Sequence, residues 1–277
     1  MRTSIPRWQT ASTVIIVILS TVSALLGLFR PGQYPPALLP GFYVQDILIL
    51  LVGVPALAVG LRYASVGSLR GRIVWLGALT YMTYMWATIA LQITFNQFFL
   101  GYVVLFGLSV FTLIGGTTAV DPVAVQQTLD LRLPERVYGL FLWVIAAGLA
   151  FLWLAELVPA TVSGTPPLLV EEVGPQALAS HFLDLSIVVP ALVLAGRWLF
   201  QRRPWGYVFA GVGLVFGALL APTLTGMTAV ILLAGDLTVP PVAVVFTIIP
   251  ALIAAILAIS YLLSLSGQKH RGNNSWR

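Results

Sequence analysis

Eight long apolar runs follow one another along the chain, and they constrain its fold more than any other feature. A helix that crosses the hydrocarbon core of a bilayer needs about 20 largely apolar residues, and each run is long enough to form one. The pattern therefore predicts an all-α polytopic membrane protein with about eight transmembrane helices. The predicted helices are Ser12 to Phe29, Val44 to Leu61, Ile73 to Ile93, Phe98 to Thr118, Val137 to Val158, Phe182 to Leu199, Trp205 to Gly235 and Val242 to Leu265. Pro222 and the Thr/Gly-rich patch after it predict a kink or break in the seventh.

Charge is too scarce for a soluble protein of this size. Only 8% of the 277 residues are charged and 59% are hydrophobic, whereas soluble domains carry roughly 25% charged residues. The bilayer must therefore be the solvent for most of the surface. The loops are too short for an independent core, so the chain predicts a single transmembrane domain over residues 1–277. Residues 266–277 are polar and predict a disordered tail.

The positions of the basic residues predict an orientation in the membrane. If the connections alternate between the two sides, Arg30 is the only one of the 14 basic residues on its side. Cytoplasmic loops are enriched in Lys and Arg, so we expect both termini, including the tail, in the cytoplasm. This bias also explains the net charge of +5, and no nucleic-acid partner is expected.

A short sequence occurs twice and predicts two similar halves. Val54-Pro55-Ala56-Leu57 is followed by Arg62, and Val189-Pro190-Ala191-Leu192 is followed at the same distance by Arg197. The halves would span about residues 8–118 and 136–265, with four helices each. An even number of helices gives both halves the same orientation, a 4+4 parallel repeat. The alternative is a chance likeness between two helical hairpins.

Ionisable residues within predicted transmembrane helices are the first candidates for a functional site. The predicted topology places the few ionisable residues of the helices toward the outer helix ends. The amide side chain of Asn96 lies at a similar predicted depth. We therefore expect an outward-facing pocket that binds a small molecule or a proton. Its candidate residues are Asp46, Asn96, Glu156, His181 and Asp184. The alternative is that Asp46 and Asp184 cap helix N-termini and that Glu156 reaches the interface.

The residue inventory excludes several kinds of chemistry. The chain has no cysteine and two histidines, which excludes thiol chemistry and disfavours a metal site. No nucleophile–base, nucleotide-binding or metalloprotease motif is present. We expect no catalytic residues, no metal and no cofactor, and therefore no enzyme. Basic residues of the inner loops are candidates for binding anionic lipid head groups. They are Arg70, Arg72, Arg202 and Arg203.

The stretch from Asp46 to Ile114 resembles a family of uncharacterised prokaryotic multi-pass membrane proteins. The resemblance rests on Gly53-Val54-Pro55, Gly67 to Arg72, Tyr81 with Tyr84, and Phe95-Asn96 running to Phe99-Leu100 and Tyr102. It implies a prokaryotic plasma membrane and no particular activity. It also marks Asp46 and Asn96 as polar positions in an apolar pattern.

Two functional hypotheses follow. The first is a protein that binds or transports a small molecule or a proton. The second is a structural or accessory subunit without catalytic activity, which packs against membrane lipid, another membrane protein or a second copy of itself.

Overall fold

The computed structural model describes residues 5–30, 32–93, 95–129, 133–234 and 241–265. The predicted tail, 266–277, lies outside them. Eight long helices form the described structure, and no strand occurs within it. Seven of them are long and apolar enough to cross a membrane, and the eighth contains a shorter apolar helical stretch, Ile248–Ser264. The predicted all-α polytopic fold is thus confirmed. The helices are α1 (Arg7–Phe29), α2 (Leu39–Ser65), α3 (Leu69–Gln92), α4 (Phe99–Thr118), α5 (Glu135–Ser163), α6 (Pro175–Phe200), α7 (Pro204–Ala234) and α8 (Pro241–Ser264).

Several boundaries differ from the predicted ones. α2 begins directly after a short 3-10 helix, Pro36–Leu38, and α6 opens with another, Pro175–Ala177. Both helices therefore begin earlier than expected. α7 continues through Pro222 without a break, although proline removes one backbone hydrogen bond. A short helix, Pro122–Leu129, lies between α4 and α5 and packs against α7. Asp121 Oδ1 begins it by accepting hydrogen bonds from two of its free backbone N–H groups.

α2 and α6 share an uncommon local structure at the repeated sequence. Each contains one π-helical turn, Ile49–Gly53 in α2 and Asp184–Val188 in α6, just before the Val-Pro-Ala-Leu segment. A proline ring clashes with the carbonyl four residues earlier in a regular α-helix. A wider turn before Pro55 and Pro190 relieves that clash. The matching turns support the predicted repeat, which itself stays a prediction.

α3 lies at the centre of the bundle and is the most buried of the long helices. It packs against α2, α4 and α7, and its aromatic side chains hydrogen-bond to the neighbouring helices. Trp75 and Trp86 donate to hydroxyls of α1, and Tyr81 Oη lies 3.1 Å from Thr223 Oγ1 of α7. The N-terminal part of α2 packs on α7, and the N-terminal part of α6 packs on α3. These reciprocal contacts are those expected if the halves are related by a two-fold axis.

Candidate functional site

The five predicted site residues lie in two separate hydrogen-bonded clusters. Asp46 and Asn96 belong to the first, and Glu156, His181 and Asp184 belong to the second. We call the first the Asp46 cluster; its members are Gln33, Tyr34, Asp46, Asn96 and Tyr102. We call the second the Asp184 cluster; its members are Tyr84, Trp153, Glu156, His181 and Asp184.

Asp184 is held by two donors from different helices. Tyr84 Oη of α3 donates to Asp184 Oδ1 at 2.9 Å, and Trp153 Nε1 of α5 donates to Oδ2 at 2.8 Å. The aspartate is only 6% exposed. It is the first residue of the π-helical turn in α6, so the geometry of that turn decides where the carboxylate points. Both of its oxygens thus have a partner inside the protein.

His181 faces a hydrogen-bond acceptor at each ring nitrogen. Nδ1 lies 3.1 Å from the backbone oxygen of Ala177, and Nε2 lies 3.3 Å from Glu156 Oε2. A neutral imidazole carries one N–H, whereas an imidazolium carries two. Only the protonated ring can therefore donate to both acceptors. The ring is 2% exposed and packs against Trp153, with their centroids 4.1 Å apart.

Glu156 connects this buried histidine to the loop between α5 and α6. Its other oxygen, Oε1, accepts a hydrogen bond of 2.9 Å from the backbone N–H of Leu169. Leu169 belongs to a short helix of that loop, Leu168–Val173. The Glu156 side chain is 24% exposed. It is thus the member of the pair with access to the outside of the bundle.

The Asp46 cluster is built partly from the loop between α1 and α2. Tyr34 Oη donates to Asp46 Oδ2 at 2.7 Å, and Gln33 Nε2 donates to Tyr102 Oη at 2.7 Å. Asn96 connects the loop between α3 and α4 to the loop between α1 and α2, because its Nδ2 donates to the backbone oxygen of Gln33. Burial, and then the adjacent charge of Asp46, raise the pKa of Tyr34 well above its ordinary value. The tyrosine therefore stays a hydrogen-bond donor.

Asp46 differs from Asp184 in one respect that bears on function. Asp46 is 1% exposed, and its Oδ1 has no hydrogen-bond partner among the described residues. Gln33 Oε1, in the same cluster, is also buried without a partner. Buried acceptors of this kind are costly unless something donates to them. A proton on Asp46 or a donor ligand would meet that need.

The positions of Asp46 and Asp184 also bear on the alternative that they cap helix N-termini. Neither Asp46 nor Asp184 caps a helix N-terminus, since both lie within continuous helical segments that have no side-chain cap. Both are buried rather than exposed on a rim. They have different hydrogen-bond partners and share none among the described residues. Among the described residues, no group of three potential metal ligands is present.

The four arginines that were predicted to bind lipid head groups have different environments. Arg72 is buried, and its Nη1 donates to the backbone oxygen of Ala119 at 2.7 Å, just beyond the end of α4. Arg202 is 65% exposed and lies 3.5 Å from Glu135 Oε1, whereas Arg203 is exposed. Arg70 is half-buried, and its Nε has no hydrogen-bond partner within the described structure. Arg72 thus contacts another part of the protein, whereas the two arginines after α6 are exposed on its surface.

The partners of the carboxylates were not among the predicted residues. Trp153 precedes Glu156 by three residues, a spacing that places both on one helix face, and this signal could have identified it. Tyr84 is one of the residues that carry the family resemblance, but its local sequence does not indicate a contact with Asp184. Gln33 and Tyr34 lie in a proline-rich loop, and nothing in their local sequence indicates that the loop folds into the bundle.

Comparison of the chain with protein-family models, with curated protein sequences and with solved structures finds no match in any of the three. The resemblance of residues 46–114 to a prokaryotic family therefore gains no support from them, and the function must be argued from the site alone.

Proposed function

We propose that this protein binds protons at the Asp184 cluster and transports them, or a small solute coupled to them, across a prokaryotic plasma membrane. One observation carries the proposal: His181 is buried between two hydrogen-bond acceptors, Glu156 Oε2 and the backbone oxygen of Ala177. Protonation completes the second bond and pairs the ring with a carboxylate. The site thus recognises a proton by geometry.

The carboxylates support the same proposal. Neither Asp46 nor Asp184 has a Lys or Arg partner within 4.0 Å among the described residues. A charge inside a transmembrane helix is costly, and such residues commonly belong to proton or ion pathways. Tyr84 and Trp153 hold Asp184 with two fixed donors. Glu156, the partly exposed member, is the entry point from the outer loop.

The orientation belongs to the proposal too. The inner loops carry nearly all of the basic residues, so both termini are cytoplasmic by the charge rule. The Asp184 and Asp46 clusters then lie near the extracytoplasmic ends of the helices. Protons would enter from that side.

Histidine titration tests the binding step directly. The chain has only two histidines, so an NMR spectrum of histidine-labelled protein in detergent has two sets of ring signals, and the spectrum of H181Q assigns them. We expect the His181 signals to show two protonated ring nitrogens, one facing Glu156 and one facing Ala177. E156Q should weaken proton binding, whereas E171Q, at an exposed carboxylate of the same loop, should not. A His181 ring that carries a single N–H at every pH at which the protein stays folded would overturn the proposal.

Proton flux tests the transport step. Protein reconstituted in vesicles that contain a pH-sensitive dye should dissipate an imposed pH gradient, alone or with a co-transported solute, and H181Q should not. A wild-type protein that binds a proton at His181 but carries no flux with any solute tested would limit the activity to proton binding.

The second candidate is the accessory subunit. The observation that favours it is that both oxygens of Asp184 are satisfied inside the protein, as expected of a structural carboxylate. This function requires a stoichiometric membrane partner. Purification from mild detergent as a solitary, stable monomer would contradict it.

A further inference from the structure

An open cleft lies at the opposite end of the bundle from the two polar clusters, at the inner ends of α5 and α6. Its volume is about 320 Å³, and it is lined by Trp143, Arg197, Phe200 and Gln201. The two rings are 41% and 38% exposed. Arg197 lies in the last turn of α6, at the end of the bundle where the basic loops are found.

The aromatic wall of the cleft is held in a defined geometry. Trp143 Nε1 donates to the backbone oxygen of Val193 at 3.0 Å, and its ring meets that of Phe200 edge to face at 4.9 Å. Two glycines make this packing possible. A Cβ at Gly196 would lie 2.6 Å from the Trp143 ring, and a Cβ at Gly139 would lie 2.9 Å from the Phe200 ring. The wall is therefore built into both helices.

The charge at the cleft is unpaired. Arg197 is exposed, and no carboxylate of the described residues lies within 4.0 Å of it. Arg202 and Arg203 follow in the adjoining loop, and Arg202 is countered by Glu135 only in part, because it remains 65% exposed. A cationic head beside an aromatic wall at the membrane interface matches a phospholipid, with its phosphate at the guanidinium and an acyl chain along the rings.

We propose that this cleft binds one anionic phospholipid, whose phosphate contacts Arg197 and whose acyl chain lies against Trp143 and Phe200. The proposal does not depend on proton binding, since the cleft shares no residue with the Asp184 cluster. The other half of the chain provides an internal comparison. Arg62 occupies the position that corresponds to Arg197 in the repeated sequence, and it is also exposed. Ser65 stands there in place of Phe200, so that arginine lacks the phenylalanine ring.

Lipid titration of the full chain in detergent tests the proposal. Phosphatidylglycerol, phosphatidylcholine and inorganic phosphate are added separately, and binding is followed by native mass spectrometry and by the melting temperature. We expect one phosphatidylglycerol to bind and to raise the melting temperature, and we expect neither of the other two to do so at equal concentration. R197A should bind it about tenfold more weakly, the loss of one charge-assisted contact, and W143F/F200A should also lose affinity. R62A should bind as the wild type does.

Three results would overturn the proposal. One is equal loss of binding in R197A and R62A, which would indicate attraction to basic charge in general. Another is equal binding of phosphatidylcholine, and the third is full competition by inorganic phosphate. If R197A fails to fold, R197Q with native mass spectrometry of the folded fraction replaces it, and the same criteria apply.

Discussion

Asp46 and Asp184 both lie in the helical stretch before a Val-Pro-Ala-Leu segment, yet their surroundings at the level of single atoms differ. Asp184 has a donor on each oxygen, whereas Asp46 has one donor and one oxygen without a partner. The sequence predicted both residues, because carboxylates in apolar runs are conspicuous. It could not predict their partners, because Tyr34 comes from a loop and Trp153 from another helix. A sequence pattern shows on which side of a helix a residue lies, but it does not show which residue of another element contacts that side.

Gly27 is required for the contact between Tyr34 and Asp46. An alanine Cβ at this position would overlap Asp46 Oδ2 and Tyr34 Oη, so we expect G27A to separate them and to lower the free energy of unfolding by about 1–3 kcal/mol. The matched control is G107A in α4, where a Cβ would have nothing within 4 Å. The control should melt at the wild-type temperature or slightly above it. Equal melting temperatures of G27A and G107A would contradict the packing described for Gly27.

Tyr34 should also make stability depend on alkaline pH. Its pKa is raised in the folded protein above the ordinary value of 10.0, so its contribution is complete below pH 10.0 and is lost as the pH rises toward the folded-state pKa. We expect Y34F to be less stable at neutral pH by about 1–3 kcal/mol, because Asp46 loses its donor. The difference in melting temperature between wild type and Y34F should shrink above pH 10.0. A difference that stays constant would contradict a raised pKa.

At the scale of the helices, the sequence predicted positions well and local geometry poorly. Apolar length alone located all eight helices, because a bilayer imposes a minimum span. The π-helical turns were not predicted. A proline within a helix can be accommodated by a kink, a break or a wide turn, and Pro222 is accommodated inside a continuous helix. Packing decides among these outcomes. In α6 the wide turn begins at Asp184, so it also orients the candidate site.

Arg72 hydrogen-bonds the first turn of α3 to the C-terminal end of α4. Its guanidinium donates to the Ala119 oxygen, next to carbonyls at the end of α4 that have no partner within the helix. We expect R72M to keep the aliphatic packing, lose the charged bond and lower the free energy of unfolding by about 1.5–3 kcal/mol. R203M, at an exposed arginine, should change the melting temperature little. If both substitutions have equal effects, Arg72 acts only through its charge.

At the scale of the whole molecule, the prediction of two similar halves explains where the functional differences lie. The C-terminal halves of α2 and α6 share the Val-Pro-Ala-Leu segment, the arginine after it and the π-helical turn before it. The N-terminal parts and their partners diverge, with Tyr34 and Asp46 in one half and the His181–Glu156 pair with Asp184 in the other. In a paired architecture the shared parts stabilise the bundle. The divergent parts are free to acquire separate chemistry, and both clusters lie there.

The orientation of the whole bundle can be tested because the chain has no cysteine, so every introduced thiol is the only one. Thr165, in the loop after α5, and Ser65, the last residue of α2, are exposed residues at opposite ends of the bundle. With both termini in the cytoplasm, T165C should react with a membrane-impermeant maleimide on intact cells, and S65C should react only after permeabilisation. Each variant is the other's control for expression and reactivity. The reverse pattern would place the two polar clusters on the cytoplasmic side, and proton entry from outside would then be excluded.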